Sequence, residues 1–424
     1  MQLKRTFSED WMAVVIGFVI ILLTIFIYKW MPSLPMLFNP KEKWSGVEFL
    51  SGFFSRPNLA RILYIFVVFA MLAYLGLMFA GKQARTFFYS FFFIVFLAII
   101  AQIISTHAYM KAMSLETVLF SVIIGLVIGN IFEIPDWMKP GIQSEFYIKI
   151  GLVLLGTTIL FSNIMKAGAL GLIQALVVVV SVWYIAFWIA RKLKVDDEMS
   201  TMLASAVSIC GVSAAIATCG AIKGDNKKLS YVISLVLIVA IPMMILMPYL
   251  AKWIGLGQEV AGAWIGGTID TTGAVVASGT IIGETAQKYA VIIKSAQNVL
   301  LGVAAFAISI YWSYSKKGEA MAEKPTARVI WDRFPKFVLG FIAASLVFSF
   351  LLTPETVKQA GDTIKGYQNI WFSMAFVCIG LETRFKDIFA SGNRKPLIAF
   401  LTAQTINILI TLVVAYLLFR NTNG

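Results

Sequence analysis

The stretch Ser208–Ala221, SICGVSAAIATCGA, belongs to a strongly apolar chain, yet it has no leucine or phenylalanine and consists largely of small residues and hydroxyls. Small residues let a helix end approach a neighbour or a ligand closely. Irregular backbone inside a bilayer is tolerated only where protein buries it or water reaches it. Gly211 would allow a helix to break, so the stretch predicts a discontinuous helix. Close helix packing through small residues is the alternative.

A second stretch has the same character. Residues 268–277, TIDTTGAVVA, align without gaps with residues 208–217, SICGVSAAIA, and share two alanines and one isoleucine with them. Gly273 is the expected break in this second stretch. If each stretch crossed the membrane once, the two would lie two crossings apart and run parallel, whereas an inverted pair needs an odd separation. Either one stretch is re-entrant or the match is accidental.

The composition is that of a helical membrane protein. Of the 424 residues, 59% are hydrophobic and 13% are charged, whereas about 25% are charged in a typical soluble domain. Apolar runs near 20 residues can each cross the hydrocarbon core as a helix, and they predict an all-α polytopic membrane protein with about 11–13 transmembrane helices. The candidate spans are residues 11–28, 62–81, 86–104, 117–131, 146–164, 169–190, 199–221, 229–253, 260–282, 290–311, 337–352, 370–381 and 397–419.

Internal matches indicate inverted structural repeats. Residues 156–168, GTTILFSNIMKAG, align with residues 380–392, GLETRFKDIFASG, and both glycines and one isoleucine are shared. These stretches lie an odd number of predicted crossings apart, so they would run in opposite directions, as in many secondary transporters. We therefore predict two repeats, at about residues 113–255 and 256–424.

Two charged residues lie deep in apolar segments. Asp270 is in the middle of WIGGTIDTTGAVVASG, and Lys294 is in the middle of YAVIIKSAQNVLLG. Ionisable groups inside a membrane are costly and usually functional. The long lysine side chain could instead extend to the interface, but the short aspartate could not. We predict that the two residues pair and couple transport to an ion gradient.

The two interrupted segments also predict a substrate site. Amides at the start of a helix form a positive dipole end that binds anions. The small and hydroxyl residues around the expected breaks are the candidate substrate-binding residues, namely Ser208, Cys210, Gly211, Ser213, Thr268, Thr271, Thr272 and Gly273.

Charge and cysteine content exclude several other classes of protein. The formal net charge of +13 arises from basic residues scattered over many loops, which favours lipid headgroups over nucleic acid as the partner. The three cysteines, Cys210, Cys219 and Cys378, lie in apolar spans, and the one histidine, His107, lies at a span end. We therefore expect no disulfide framework, no metal site, no cofactor and no His-based enzymatic triad.

Four motifs resemble a known family. GTTILFSNI (156–164), SICGVSAAIA (208–217), GGTIDTTGAVVASG (266–279) and VIIKSAQNVLLG (291–302) are similar to motifs of the proposed sulfate exporters, the YeiH-type bacterial inner membrane proteins. The similarity covers residues 117–424, and the first three spans lie outside the motifs. The resemblance therefore implies a transporter domain at residues 113–424, preceded by additional N-terminal helices and a linker at residues 1–112. It implies a secondary transporter with an inverted-repeat fold related to sodium/proton antiporters and bile acid transporters. This chain keeps Asp270 and Lys294 but has Ile269, Gly273 and Gln297 where many relatives carry histidine, glutamine and arginine.

These observations together predict a multi-pass transporter of the bacterial inner membrane and not an enzyme. It would export a small inorganic or organosulfur anion, such as sulfate or sulfite, against a proton or sodium gradient. A monovalent cation/proton antiporter is the main alternative, and a non-transporting membrane sensor is a second one. The expected partners are the anion, the coupling ion and the lipid bilayer, with a second copy of the chain as a candidate partner in a homodimer.

Overall fold

The described part of the chain is almost entirely helical. The computed structural model describes residues 8–27, 44–46, 48–82, 85–112, 117–158, 161–222, 224–315, 336–383 and 394–421. Within these ranges there is no β-strand, and extended pairing is limited to one isolated bridge between Trp44 and His107. The predicted all-α class is confirmed.

Seventeen α-helices occur in the described ranges. They are α1 (Glu9–Ile27), α2 (Glu48–Phe53), α3 (Arg56–Phe79), α4 (Phe87–Thr106), α5 (Ala108–Ala112), α6 (Thr117–Ile131), α7 (Ser144–Gly156), α8 (Phe161–Lys192), α9 (Asp197–Ser205), α10 (Val212–Ile222), α11 (Asn226–Ile254), α12 (Gln258–Thr268), α13 (Thr272–Ile282), α14 (Glu284–Ser315), α15 (Lys336–Leu346), α16 (Pro354–Glu382) and α17 (Lys395–Phe419). A 3₁₀ turn covers Lys139–Gly141, and π-helical turns cover Ala206–Cys210 and Val347–Leu351.

Six of these helices have the length and apolarity needed to cross a membrane: α1, α3, α4, α8, α11 and α17. Four shorter apolar segments accompany them, at Thr117–Ile131, Val212–Ile222, Thr272–Ile282 and Lys336–Leu351. The chain is therefore a multi-pass membrane protein. The predicted span 370–381 is only the last part of a longer helix, α16.

The described helices form two compact units. One unit contains residues 1–162 and 336–384, and the other contains residues 163–335 and 385–424. In the first unit, α6 packs closely on α16 because glycines line the contact: a methyl group added at Gly125 would lie 2.3 Å from the carbonyl oxygen of Val377. The predicted division at residue 112 and the two predicted repeats stay predictions, and residues 384–392 of the repeat match lie outside the described residues.

The second unit contains the stretch of small residues Ser208–Ala221. Its helices are most of α8 together with α9–α14 and α17. Buried apolar side chains of α8, α9, α10, α11 and α17 form its main core, which includes Val182, Met202, Val236 and Phe400. Burial of such side chains stabilises short helices that would be only marginally stable by themselves.

Residues 197–222 form a helical hairpin, called hairpin 1. Its entering arm is α9 with the π-helical turn at Ala206–Cys210, and its returning arm is α10. The chain reverses at Gly211, where φ is 62° and ψ is −114°, and α10 packs back against α9. Lys228 closes the base: its ammonium lies 2.7 Å from Asp196 and 3.1 Å from Glu198, so both ends of the hairpin are at one place.

Residues 258–282 form hairpin 2, with α12 as its entering arm and α13 as its returning arm. The arms are joined by Ile269, Asp270 and Thr271. At the base, a methyl group added at Gly283 would lie 2.6 Å from the Gln258 side-chain oxygen, so the end of α13 meets the start of α12. Glycines of α12 allow close contact with α14, since a methyl group at Gly266 would lie 2.5 Å from the carbonyl oxygen of Ala290.

The two hairpins enter the unit from opposite ends. Helix α11 starts at the base of hairpin 1 and runs for 29 residues to the base of hairpin 2, a distance of about 43 Å at 1.5 Å per residue. The tips meet between these ends. A methyl group added at Gly211 would lie 3.0 Å from the Cβ of Asp270 and 2.7 Å from Val236 in the middle of α11.

This geometry differs from the sequence-based prediction at two points. The segments 199–221 and 260–282 were each predicted as one crossing, but each turns back on itself. The predicted helix breaks at 208–213 and 268–273 are confirmed, but the second break is at residues 269–271 and not at Gly273, which lies in the first turn of α13. The two hairpins point in opposite directions because one long helix separates them, and the repeats stay a prediction.

Candidate functional site

The candidate site is formed where the two hairpin tips meet. The tips are Gly211 of hairpin 1 and residues 269–271 of hairpin 2. Helix breaks leave the last carbonyl groups of each entering arm and the first amide groups of each returning arm without partners inside the helix. Carbonyl ends carry partial negative charge and amide ends partial positive charge. The site therefore has two chemically distinct sides.

Side-chain donors bind the carbonyl side. In hairpin 2, Gln297 donates to the carbonyl of Gly267 at 2.9 Å, and Gln404 donates to that of Thr268 at 2.9 Å. Asn407 joins the hairpins, because its amide donates to the carbonyl of Thr268 at 3.2 Å and to that of Val207 at 3.1 Å. These bonds satisfy backbone oxygens that would otherwise be costly to bury.

Lys294 is buried and brings its side-chain amino group to the carbonyl side. It follows the start of α14 by about three turns, or about 15 Å, which places its ammonium at the tips. The ammonium donates to the carbonyl of Ile209 in the π-helical turn at 2.8 Å and to the side-chain oxygen of Gln297 at 3.1 Å. It therefore binds the negative end of the entering arm of hairpin 1.

Asp270 lies in the turn between the arms of hairpin 2 and is 1% exposed. No hydrogen bond of good geometry reaches its carboxylate oxygens from the described residues, but the side chain of Gln404 lies close enough to interact with them. Lys294 interacts with it electrostatically, but the ammonium makes its hydrogen bonds to Ile209 and Gln297 instead. The buried Ser208 hydroxyl lacks a partner in the described ranges. Buried polar atoms without partners are rare and favour a functional role.

The amide side is more accessible. Ser213, in the first turn of α10, is exposed, and Thr271 and Thr272, at the start of α13, are partly exposed. Thr271 caps α13, since its side-chain oxygen accepts from the amide of Ala274 at 3.4 Å. Two short helices thus direct their amino-terminal ends to one region that carries hydroxyl groups. This arrangement can bind a small anion.

The structure brings all the predicted site residues to the two tips. Ser208, Cys210, Gly211, Thr268, Asp270, Gly273 and Lys294 are buried there, and Ser213, Thr271 and Thr272 are accessible. Their predicted roles in binding and coupling stay predictions. The sequence analysis missed Gln404 and Asn407 of α17. Their spacing, with Thr411 four residues further on, puts three polar residues on one face of an apolar helix, and this pattern could have identified them.

Known proteins are similar to this chain over most of its length. The family model described as Conserved hypothetical protein 698 matches residues 89–400. A UPF0324 membrane protein of Rhodopirellula baltica is 38% identical over 400 residues, which are 92% of this chain and 73% of the relative. One from Nitratidesulfovibrio vulgaris is 38% identical over 84% of this chain, which spans 63% of that relative.

A more distant relative, the UPF0324 membrane protein NE0724 of Nitrosomonas europaea, is 26% identical over 92% of each chain. No solved structure matches this chain. The chain therefore belongs to the UPF0324 family of membrane proteins, which is the YeiH-type family that its motifs resemble.

Proposed function

We propose that this protein is a secondary active transporter of the bacterial inner membrane that exports a small anion. Sulfate, sulfite or an organosulfur anion is the substrate, and a proton or sodium gradient drives its movement. One observation carries the proposal: the tips of two hairpins that enter from opposite ends meet at Gly211 and Asp270, so that α10 and α13 both begin close to this contact.

The electrostatics of the tips favour an anion over a cation as substrate. A cation would use the carbonyl groups of the entering arms, but Lys294, Gln297, Gln404 and Asn407 already donate to them. The amide ends of the returning arms, whose first turns contain Ser213 and Thr272, would stabilise negative charge.

The hairpin geometry favours transport over static binding. Each returning arm has 11 residues, or about 16 Å of helix, which is roughly half the thickness of the hydrocarbon core. Two such hairpins from opposite ends support a site near the middle of the membrane, where small movements of the arms would open it to either side. Transporters place substrate sites at discontinuous helices for this reason.

The test is anion flux in proteoliposomes that contain the purified protein. We expect uptake of labelled sulfite or sulfate that depends on an imposed ion gradient. The changes Ser213→Ala and Thr272→Val should lower this flux severalfold because they remove accessible hydroxyl donors. Thr405→Val is the matched control, since Thr405 is exposed on α17 and donates only to its own helix, to the carbonyl of Leu401. Equal flux in protein-free liposomes would refute the proposal.

One observation favours the cation/proton antiporter as a second candidate. The Asp270 carboxylate is buried at the hairpin tips, and a buried carboxylate could exchange a proton for a monovalent cation. In the same proteoliposomes, sodium or potassium flux that is independent of every added anion would support this alternative.

A further inference from the structure

The carbonyl ends of the two entering arms meet at the hairpin tips, and the amino group of Lys294 binds one of these carbonyls. Both arms end in carbonyl groups at the tips, and the dipole of each arm adds negative charge there. Three of the donors to these carbonyls are neutral carboxamides. The fourth is the ammonium of Lys294, bound to the carbonyl of Ile209 at 2.8 Å.

This position is where a transporter would bind a coupling sodium ion. Sodium is coordinated by oxygen atoms, and carbonyls freed at a helix break are its usual ligands inside a membrane protein. The ammonium of lysine carries the same charge, and here it donates to one of the freed carbonyls, that of Ile209, and to the side-chain oxygen of Gln297. Unlike a free ion, it is attached to α14 and cannot leave.

We propose that Lys294 takes the place of a coupling sodium ion at the carbonyl ends of the hairpins, so that this site takes up no sodium and the proton is the coupling ion. The proposal rests on the function proposed above and selects between its two coupling ions. Two titratable groups face the ammonium: the Asp270 carboxylate and the Cys210 thiol. Of these, Asp270 is the charge that a proton entering the site would neutralise.

The first test compares the wild-type protein in sodium chloride and in N-methyl-D-glucamine chloride at equal ionic strength. We expect the same melting temperature in both salts, because no site for sodium is open. In proteoliposomes, flux of labelled sulfite should depend on the pH gradient and be unchanged when N-methyl-D-glucamine replaces sodium on both sides. A sodium-dependent rise in melting temperature, or flux that requires sodium, would overturn the proposal.

The second test removes the amino group of Lys294. Lys294→Ala leaves the carbonyl of Ile209 without its donor and opens space beside it. We expect the variant to melt several degrees lower than wild type in N-methyl-D-glucamine chloride. Sodium chloride should then restore part of the difference, because a ligand that binds only the folded state stabilises it. Lys288→Ala is the matched control, since this lysine lies on the same helix and pairs with Glu284 at 2.9 Å, near the base of hairpin 2.

The outcomes separate this inference from the proposed function. If no tested anion moves, the proposed function fails, but the melting comparison still shows whether wild type binds sodium. If Lys294→Ala does not fold, the wild-type comparison in the two salts still decides the question. A Lys294→Ala protein that folds and responds to sodium no more than Lys288→Ala does would count against the proposal.

Discussion

At the residue scale, Asp270 and Lys294 are close but are not joined in the way their sequence context suggests. The ammonium donates to a backbone carbonyl and to Gln297, whereas no hydrogen bond of good geometry reaches the carboxylate oxygens from the described ranges. The carbonyl end of a helix therefore partly compensates the ammonium of Lys294, and electrostatic attraction to Lys294 partly compensates the carboxylate of Asp270. Such a balance is sensitive to the loss of either charge.

We expect Asp270→Asn to destabilise the protein and abolish gradient-driven transport. Loss of the carboxylate leaves the buried Lys294 ammonium without its counter-charge, which costs on the order of 3 kcal/mol. The double variant Asp270→Asn with Lys294→Met should recover part of the lost stability but no coupling. Melting temperature and pH-dependent flux of the wild type, the two singles and the double measure both effects. Glu259→Gln, at the accessible start of α12, is the control. Strictly additive stability changes would show that the residues do not interact.

At the element scale, each hairpin depends on one sharp reversal of the chain. Gly211 has φ of 62° and ψ of −114°, a backbone conformation that residues with a Cβ rarely adopt. Its neighbours also leave no room, because an added methyl group would lie 2.7 Å from Val236. Contact between the tips therefore requires glycine here.

We expect Gly211→Ala to destabilise the protein by about 2 kcal/mol or more through backbone strain, and to lower flux because the tips move apart. Gly220→Ala is a matched control nine residues further along: no atom lies within 4 Å of its added methyl group, and its φ is not positive. That change should be neutral or stabilising by up to about 1 kcal/mol, since alanine favours a helix. Equal melting temperatures of the two variants would contradict the role given to Gly211.

The hydrogen bonds of Asp196 at the base of hairpin 1 predict how the stability of the protein depends on pH. Partial burial alone would raise the pKa of Asp196, but hydrogen bonds from Lys228 and from the Met199 amide hold it below its ordinary value. Because the folded-state pKa is lowered, this contribution to stability is complete above about pH 4 and is lost as the pH falls through the folded-state pKa. As the pH falls below about 4, the melting temperature should therefore drop more steeply in wild type than in Asp196→Asn. Parallel curves would exclude this contribution.

At the scale of the molecule, the second unit predicts which surfaces lie on opposite sides of the membrane. Hairpin 1 and hairpin 2 have their bases at the two ends of α11. In a variant without the three native cysteines, Lys194→Cys reports on the first base and Gly257→Cys on the second, and both positions are exposed.

We expect a membrane-impermeant thiol reagent to label these two positions from opposite sides of sealed vesicles. Right-side-out and inverted vesicles should therefore give reciprocal results, and detergent-solubilised protein, in which both positions react, is the control. Labelling of both cysteines from one side would rule out hairpins that enter from opposite ends.

The local character of the chain was predictable from the sequence. Apolar length identified a helical membrane protein, and the small residues around Gly211 and Gly273 located both helix breaks. Asp270 and Lys294 stood out because charge is costly in apolar segments. Each of these properties depends on residues near in sequence, so the sequence alone determines it.

Only the tertiary structure decided whether a broken helix continues across the membrane or turns back. An apolar segment of 26 residues is long enough for either path, and the choice depends on packing against α11 and α14. The sequence also did not show which side chains donate hydrogen bonds to the freed carbonyls. Asn407 binds the carbonyl of Val207, 200 positions away in sequence, and no local pattern specifies which distant donor will satisfy a buried oxygen. The requirement that every buried backbone group find a partner acts only once the chain has folded.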